Sequence, residues 1–144
     1  MRIYLDNCCF NRPFDDQSQR RIQRESEAKL WVQESIRSGR FGLVWSYILD
    51  YENSRNPFEE RRRQIAAWRA RALIDVVESE EVLVFAKELE GIGFKGLDAL
   101  HVSCAVSGNA RHFLTTDDTI LKKADQVDRI TISDPIQFAE EVQP

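Results

Sequence analysis

No run of apolar residues in this chain approaches the roughly 20 that a membrane-crossing helix needs. The first residues pass directly into a strand-like run that contains charge, so a cytoplasmic location is expected, with no membrane partner. Cysteine is scarce: Cys8, Cys9 and Cys104 are an odd number, and adjacent Cys8 and Cys9 suit neither an unstrained disulfide nor a zinc knuckle. With only two histidines to add, they read as small buried apolar residues in a reducing compartment. Positive charge is not in excess either, since 20 Lys and Arg face 24 Asp and Glu for a net charge of −4. That balance argues against a broad basic surface holding nucleic acid. The count includes any carboxylates that hold metal, and bound divalent ions would reverse the field locally.

What the chain does have is 42% hydrophobic residues over 144 positions, enough for one domain spanning 1–144 with a real core. Arg2-Ile3-Tyr4-Leu5 is a β-prone run that stops at Asp6. Residues 18–38 place Ala28, Trp31, Val32, Ser35 and Ile36 at helical spacing, with Gly39 as the stop. Residues 41–45 form a second apolar run, after which Ser46 caps a helix through Tyr47, Ile48, Tyr51 and Glu52. A long helix is expected after Pro57, carrying Ile65, Trp68, Ala72, Leu73 and Val76, and a third strand at Val82-Leu83-Val84-Phe85. A glycine-punctuated segment, 91–96, then precedes an apolar helix from Asp98 to about Val106, closed by Gly108. Phe113-Leu114-Thr115 and Ile130-Thr131-Ile132 complete the strands, and Asp134-Pro135 opens a last helix as N-cap and first position. Strands alternating with helices, without a tight hairpin signal, predict an α/β fold with a mainly parallel central sheet flanked by helices. Strand order is not readable from this pattern.

Acids fall where such a sheet binds ligands, beyond the carboxyl ends of its strands. Asp6 ends the first strand, Asp117 follows the 113–115 strand, Glu52 lies about two turns into a helix, and Asp98 opens the apolar helix. Four carboxylates in one cleft repel one another unless a cation joins them. Magnesium or manganese is the natural partner, since both prefer oxygen ligands, activate water and stabilise a leaving oxygen. Each acid also has a bland reading: Asp98 and Asp117 as helix caps, Glu52 as a solvated helical residue. Asp6, where the core closes, is hardest to explain without a partner. Asp15, Asp16 and Asp50 read as local turn or solvated residues. His101 shares a helical face with Asp98, but apolar Leu100, Val102 and Ala105 beside it point to a core histidine rather than a general base.

Tyr4-Leu5-Asp6-Asn7, Gly96-Leu97-Asp98-Ala99-Leu100-His101-Val102 and Phe113-Leu114-Thr115-Thr116-Asp117 resemble three successive motifs of PIN-domain proteins, especially those of the VapC type. The resemblance spans about residues 3–123. It implies a PIN-like three-layer fold and a divalent-metal-dependent endoribonuclease that hydrolyses RNA phosphodiester bonds. Asp6, Glu52, Asp98 and Asp117 fall on the catalytic, metal-coordinating acids, with Mg2+ (or Mn2+) as cofactor. Asn7, Thr115 and Asp118 are the expected supporting groups around them. Asn7 departs from the hydroxyl residue common after the first aspartate. Arg12 offers a candidate contact to substrate phosphate. The arginine pairs and runs at 20–21, 24 and 61–63, with Lys122 and Lys123, are candidate RNA contacts, though such runs are more often solvated faces.

A haloacid-dehalogenase-like phosphatase needs a second aspartate two positions after the first, where this chain has Cys8. A receiver domain needs an early acidic pair and a late lysine at a strand end, which are missing. The remaining rival is a catalytically inactive PIN-fold interaction module. The VapC resemblance further implies a toxin of a toxin-antitoxin pair, a small antitoxin protein that covers the acidic cleft, often with a basic side chain, and a PIN homodimer.

Overall fold

The computed structural model describes residues 1–11 and 15–143. Five strands, β1 (Arg2–Leu5), β2 (Gly42–Ser46), β3 (Ala72–Val76), β4 (His112–Leu114) and β5 (Thr131–Ser133), form one sheet in the order β3-β2-β1-β4-β5. All four pairings are parallel. The chain winds outward from β1 to β2 and β3, then crosses back to β4 on the other side of β1. The direction therefore reverses between β1 and β4, the position where open α/β sheets form a crevice beyond their carboxyl ends.

The helices are α1 (Asn7–Asn11), α2 (Arg20–Arg37), α3 (Tyr47–Ser54), α4 (Glu59–Ala66), α5 (Glu80–Gly91), α6 (Gly96–Ser107), α7 (Asp118–Leu121) and α8 (Pro135–Val142). In the flanking helices α2 packs with α8, and α5 packs with α6, which also lies on β2. Ile3, Tyr4, Leu5, Leu43, Val44, Trp45, Phe113 and Leu114 are wholly buried in the central strands, as two-sided coverage of a parallel sheet requires.

Several local signals act as expected. Gly39 takes φ +82° after α2, with its N–H donating to the Ile36 carbonyl at 3.1 Å. Ser46 caps α3 by accepting the Leu49 N–H at 3.2 Å. Asp134 caps α8 by accepting the Gln137 N–H at 2.7 Å, with Pro135 in the first turn. Gly108 ends α6 for a packing reason, because a Cβ there would stand 2.5 Å from the Val44 side chain.

The segment after Pro57 corrects the sequence reading. The helix stops at Ala66, a 3-10 turn covers Ala67–Arg71, and Ala72–Val76 is the strand β3. Its exposure alternates along the sequence, the period of a strand rather than of a helix. Val82-Leu83-Val84-Phe85, expected as a strand, belongs instead to α5. Ser79 accepts the Val82 N–H, Glu80 and Glu81 occupy the first turn, and Val82, Ala86 and Leu89 are buried at helical spacing while Leu83 and Val84 stay exposed. The capping signal outweighed the β-branched run. No helix is long and apolar enough to cross a membrane among the described residues.

Candidate active site

Asp6 leaves β1 at the point of reversal, where its N–H donates to the Leu114 carbonyl at 2.9 Å and joins it to β4. Asp6 is 6% exposed, a costly burial that demands donors for its carboxylate. Oδ1 accepts the Asn7 N–H at 2.8 Å, and Oδ2 accepts the Thr115 hydroxyl at 2.8 Å and the Cys8 thiol at 3.4 Å. Thr115, wholly buried, also accepts the Asp117 N–H at 3.1 Å. One hydroxyl thus sets the spacing between the first and last of the four acids.

Glu52 arrives from α3 and is positioned through the core. His101 of α6, with no exposure, hydrogen-bonds Glu52 through Nε2 and the Tyr4 hydroxyl through Nδ1, the latter at 2.6 Å. The Tyr4 hydroxyl in turn meets Ser46 Oγ at 2.7 Å. A line of polar groups therefore runs from the end of β2, through β1 and α6, to a carboxylate at the cleft. Burial alone would depress the His101 pKa, but the Glu52 carboxylate, with Asp6 and Asp98, holds it above the ordinary histidine value. The expectation of a core histidine holds for its burial, yet its neighbours in sequence concealed its role as the group that orients Glu52.

Asp98 sits in the first turn of α6 and not at its N-cap, which is Lys95. The capping explanation therefore does not apply to it. Burial pushes its carboxyl pKa up to about 6, and Asp6, Asp117 and Glu52 add to that rise while His101 opposes it. The other three acids are therefore near enough for their charges to act on Asp98, although the ligand atoms that lie within 4.8 Å of one another are those of Asp6, Glu52 and His101. Asp117 does cap α7, its Oδ1 accepting the Thr119 N–H at 2.8 Å and the Thr119 hydroxyl, while it also lines the same cleft as Asp6, Glu52 and Asp98. The cleft holds about 390 Å³.

The supporting residues divide. Asn7 lines the cleft, and its side-chain oxygen is buried with no hydrogen-bond partner among the described residues. Asp118 turns away into a two-pronged pair with Arg21 at 2.9 and 3.2 Å. Arg12 lies outside the described residues. Asp50 accepts the Trp45 indole N–H at 2.9 Å and lies 3.6 Å from Arg69, which leaves Glu52 as the α3 acid in the cleft. Asn11 carried no signal in the sequence and Asp15 read as a turn or solvated residue, yet both join the cleft wall, as does Arg61 from the run 61–63 that was a candidate RNA contact. Arg61 pairs with Asp15 at 3.4 Å. Cys8 departs from a purely apolar reading, because it is half-buried, lines the cleft and contacts Asp6. Cys9 and Cys104 are buried, and all three cysteines are free.

Ligand atoms of Asp6, Glu52 and His101 lie within 4.8 Å of one another. Both His101 nitrogens are already engaged, with Tyr4 and Glu52, so the oxygen donors are the better set. Carboxylates at mutual cost, together with the orphaned Asn7 amide oxygen, fit a hard divalent cation.

No family model and no curated protein matches this sequence. Solved structures do match. A chain of VapBC2 from Rickettsia felis, bound to a DNA fragment from their promoter, is 15% identical with a TM-score of 0.57, covering 93% of this chain and 98% of that one. A chain of VapBC-1 from nontypeable Haemophilus influenzae is also 15% identical with a TM-score of 0.57, covering 94% and 98%. The sheet order, the flanking helices and this near-complete overlap give the chain a PIN-like three-layer α/β fold resembling that of the VapC type.

Proposed function

We propose that the chain is a divalent-metal-dependent endoribonuclease, with Asp6, Glu52, Asp98 and Asp117 holding Mg2+ or Mn2+. The observation that carries this reading is the convergence of four acids from four separate segments on one cleft at the sheet's point of reversal. Such a site supplies metal-activated water and charge neutralisation at a phosphodiester when the ion is bound. The chain's own groups prepare it. Thr115 and the Asn7 N–H fix the Asp6 carboxylate, His101 fixes Glu52, and the Asn7 amide oxygen offers a further neutral donor.

The biological setting follows from the same reading. As the toxin of a toxin-antitoxin pair, the chain would act on RNA in the cytoplasm as a homodimer, and a small antitoxin would cover the cleft with a basic side chain among the acids. The rival, an inactive PIN-fold interaction module, draws on Asn7 in place of a hydroxyl and on the net charge of −4. Magnesium titration separates them: no binding, together with a stable protein complex, favours the module.

The direct experiment is cleavage of labelled structured RNA with magnesium, manganese or chelator, beside the double variant Asp6→Asn, Asp98→Asn. Cleavage that disappears with chelator and in the variant supports the nuclease. Equal behaviour of wild type and variant across several RNAs overturns it.

A further inference from the structure

A second depression, of about 270 Å³, adjoins the acidic cleft and shares Asn7, Asn11, Glu52 and Arg61 with it. The two form one trough. Its far wall carries Arg55 and Phe58, and Phe58 is 58% exposed.

The backbone that carries the ring is held in place. The Phe58 N–H donates to Asn56 Oδ1 at 3.1 Å, the Asn56 carbonyl accepts from Arg62 at 3.0 Å, and the Asn56 amide donates to Asn11 Oδ1 at 3.3 Å. Guanidinium groups accompany the aromatics. Arg61 lies 4.6 Å from the Phe58 ring centre and also pairs with Asp15. Arg55 lies 5.6 Å from the ring centre of Tyr51, itself 48% exposed, and donates to the Tyr51 hydroxyl at 3.1 Å. An exposed aromatic ring set beside guanidinium groups in a trough is an arrangement that receives single-stranded nucleic acid, whose unpaired bases stack while its phosphates meet positive charge. A duplex keeps its bases stacked internally and offers none to such a wall.

Resting on the ribonuclease reading, we propose that this trough is a subsite for an unpaired nucleotide beside the scissile bond, its base stacked against Phe58 and its backbone phosphate beside Arg61 and Arg55. The acidic end then performs hydrolysis, and the aromatic end selects single-stranded over paired RNA. This also accounts for RNA engagement by a chain of net negative charge, because cations are needed at one wall and not over a whole face.

The test is fluorescence anisotropy with a labelled unstructured RNA strand and its duplex, with calcium replacing magnesium to slow cleavage, on wild type and variants. The wild type should prefer the single strand. Phe58→Ala should weaken single-strand binding about tenfold, within the range for one stacked base, and leave duplex binding unchanged. Phe58→Trp should restore binding, and Arg55→Ala with Arg61→Ala should flatten the salt dependence. Unaltered binding by Phe58→Ala, or preference for the duplex, overturns the subsite. Parallel magnesium cleavage assays separate the two proposals. Wild type that cleaves while Phe58→Ala cleaves equally well at every RNA concentration loses only the subsite. Phe58-dependent binding of single strands without any cleavage keeps the subsite and removes the nuclease.

Discussion

Two of the buried places that carry ionisable groups are built in opposite ways. At the carboxyl ends of β1 and β4, Asp6 is surrounded by donors from Asn7, Cys8 and Thr115, and Glu52 by His101. Between Phe10 and Trp68, Lys29 of α2 has no exposure, and its Nζ makes no hydrogen bond among the described residues. It lies 4.5 and 5.4 Å from those two ring centres, and burial lowers its pKa from 10.5 to about 7. The first place organises several charges toward a cleft, whereas the second tolerates one charge inside the core. Supporting hydrogen bonds, more than burial or a shifted pKa, separate a site prepared for chemistry from an incidental buried charge.

Substitution at the acids should break this contrast most strongly. Asp98→Asn should reduce metal-dependent RNA cleavage by about 100-fold or more, on the scale of losing a principal electrostatic group. Without metal the same variant should be more thermally stable than wild type near neutral pH, since the raised Asp98 pKa means the folded chain bears a cost in ionising it. Added magnesium should raise the melting temperature of wild type more than that of the variant, which a thermal-shift titration would read.

His101→Gln is next in expected size. An amide can meet one of the two partners but cannot bridge Tyr4 and Glu52 as the ring does. Cleavage should fall by roughly 10- to 100-fold, the usual cost of losing a group that orients a ligand. A loss of melting temperature with unchanged metal affinity and unchanged cleavage would reduce His101 to a core residue.

Lys29→Met sharpens the other side of the comparison. It should leave cleavage unchanged and stabilise the fold at pH 7, by roughly 1–4 kcal/mol on the scale seen when buried charges give way to apolar groups. In wild type the unfolded chain binds the Lys29 proton more tightly, so stability should rise as pH climbs from about 7 toward 10.5. Urea denaturation across that interval should show the Lys29 component of the rise in wild type and its absence in Lys29→Met.

Thr115→Ser should have the smallest effect, because it retains the hydroxyl that donates to Asp6 and accepts from Asp117. Thr115→Val removes both bonds and should cost about 1–3 kcal/mol of stability together with part of the cleavage rate. Equal behaviour of the two variants in melting and cleavage assays would show that packing, not hydrogen bonding, is what position 115 supplies.

The sequence displayed Asp6, Asp98 and Asp117 because each lies at the end of a short apolar run or the start of an apolar helix, and local pattern marks such boundaries. Glu52 was visible as an acid on a helix, its motif loose and Asp50 close by. Their separation came from Trp45 and Arg69, which engage Asp50 on another side of the helix. The strand at Ala72–Val76 was concealed because its residues also continued the apolar spacing of the preceding helix. Asp15 and Asn11 were unremarkable polar residues, and Arg61 only one of several arginines in charge runs, until folding brought distant segments to one wall.

By itself, then, the sequence determined the alternation of strands and helices, their caps at Ser46 and Asp134, and acids at the strand ends, since all of these are written in local periodicity and in side chains that bond within a few residues. Tertiary structure alone decided the order β3-β2-β1-β4-β5, the Ser46-Tyr4-His101-Glu52 line and the joining of the acids to Arg61 and Phe58. These link residues dozens of positions apart, and their contacts exist only once the apolar strands have chosen their neighbours and closed the core around them.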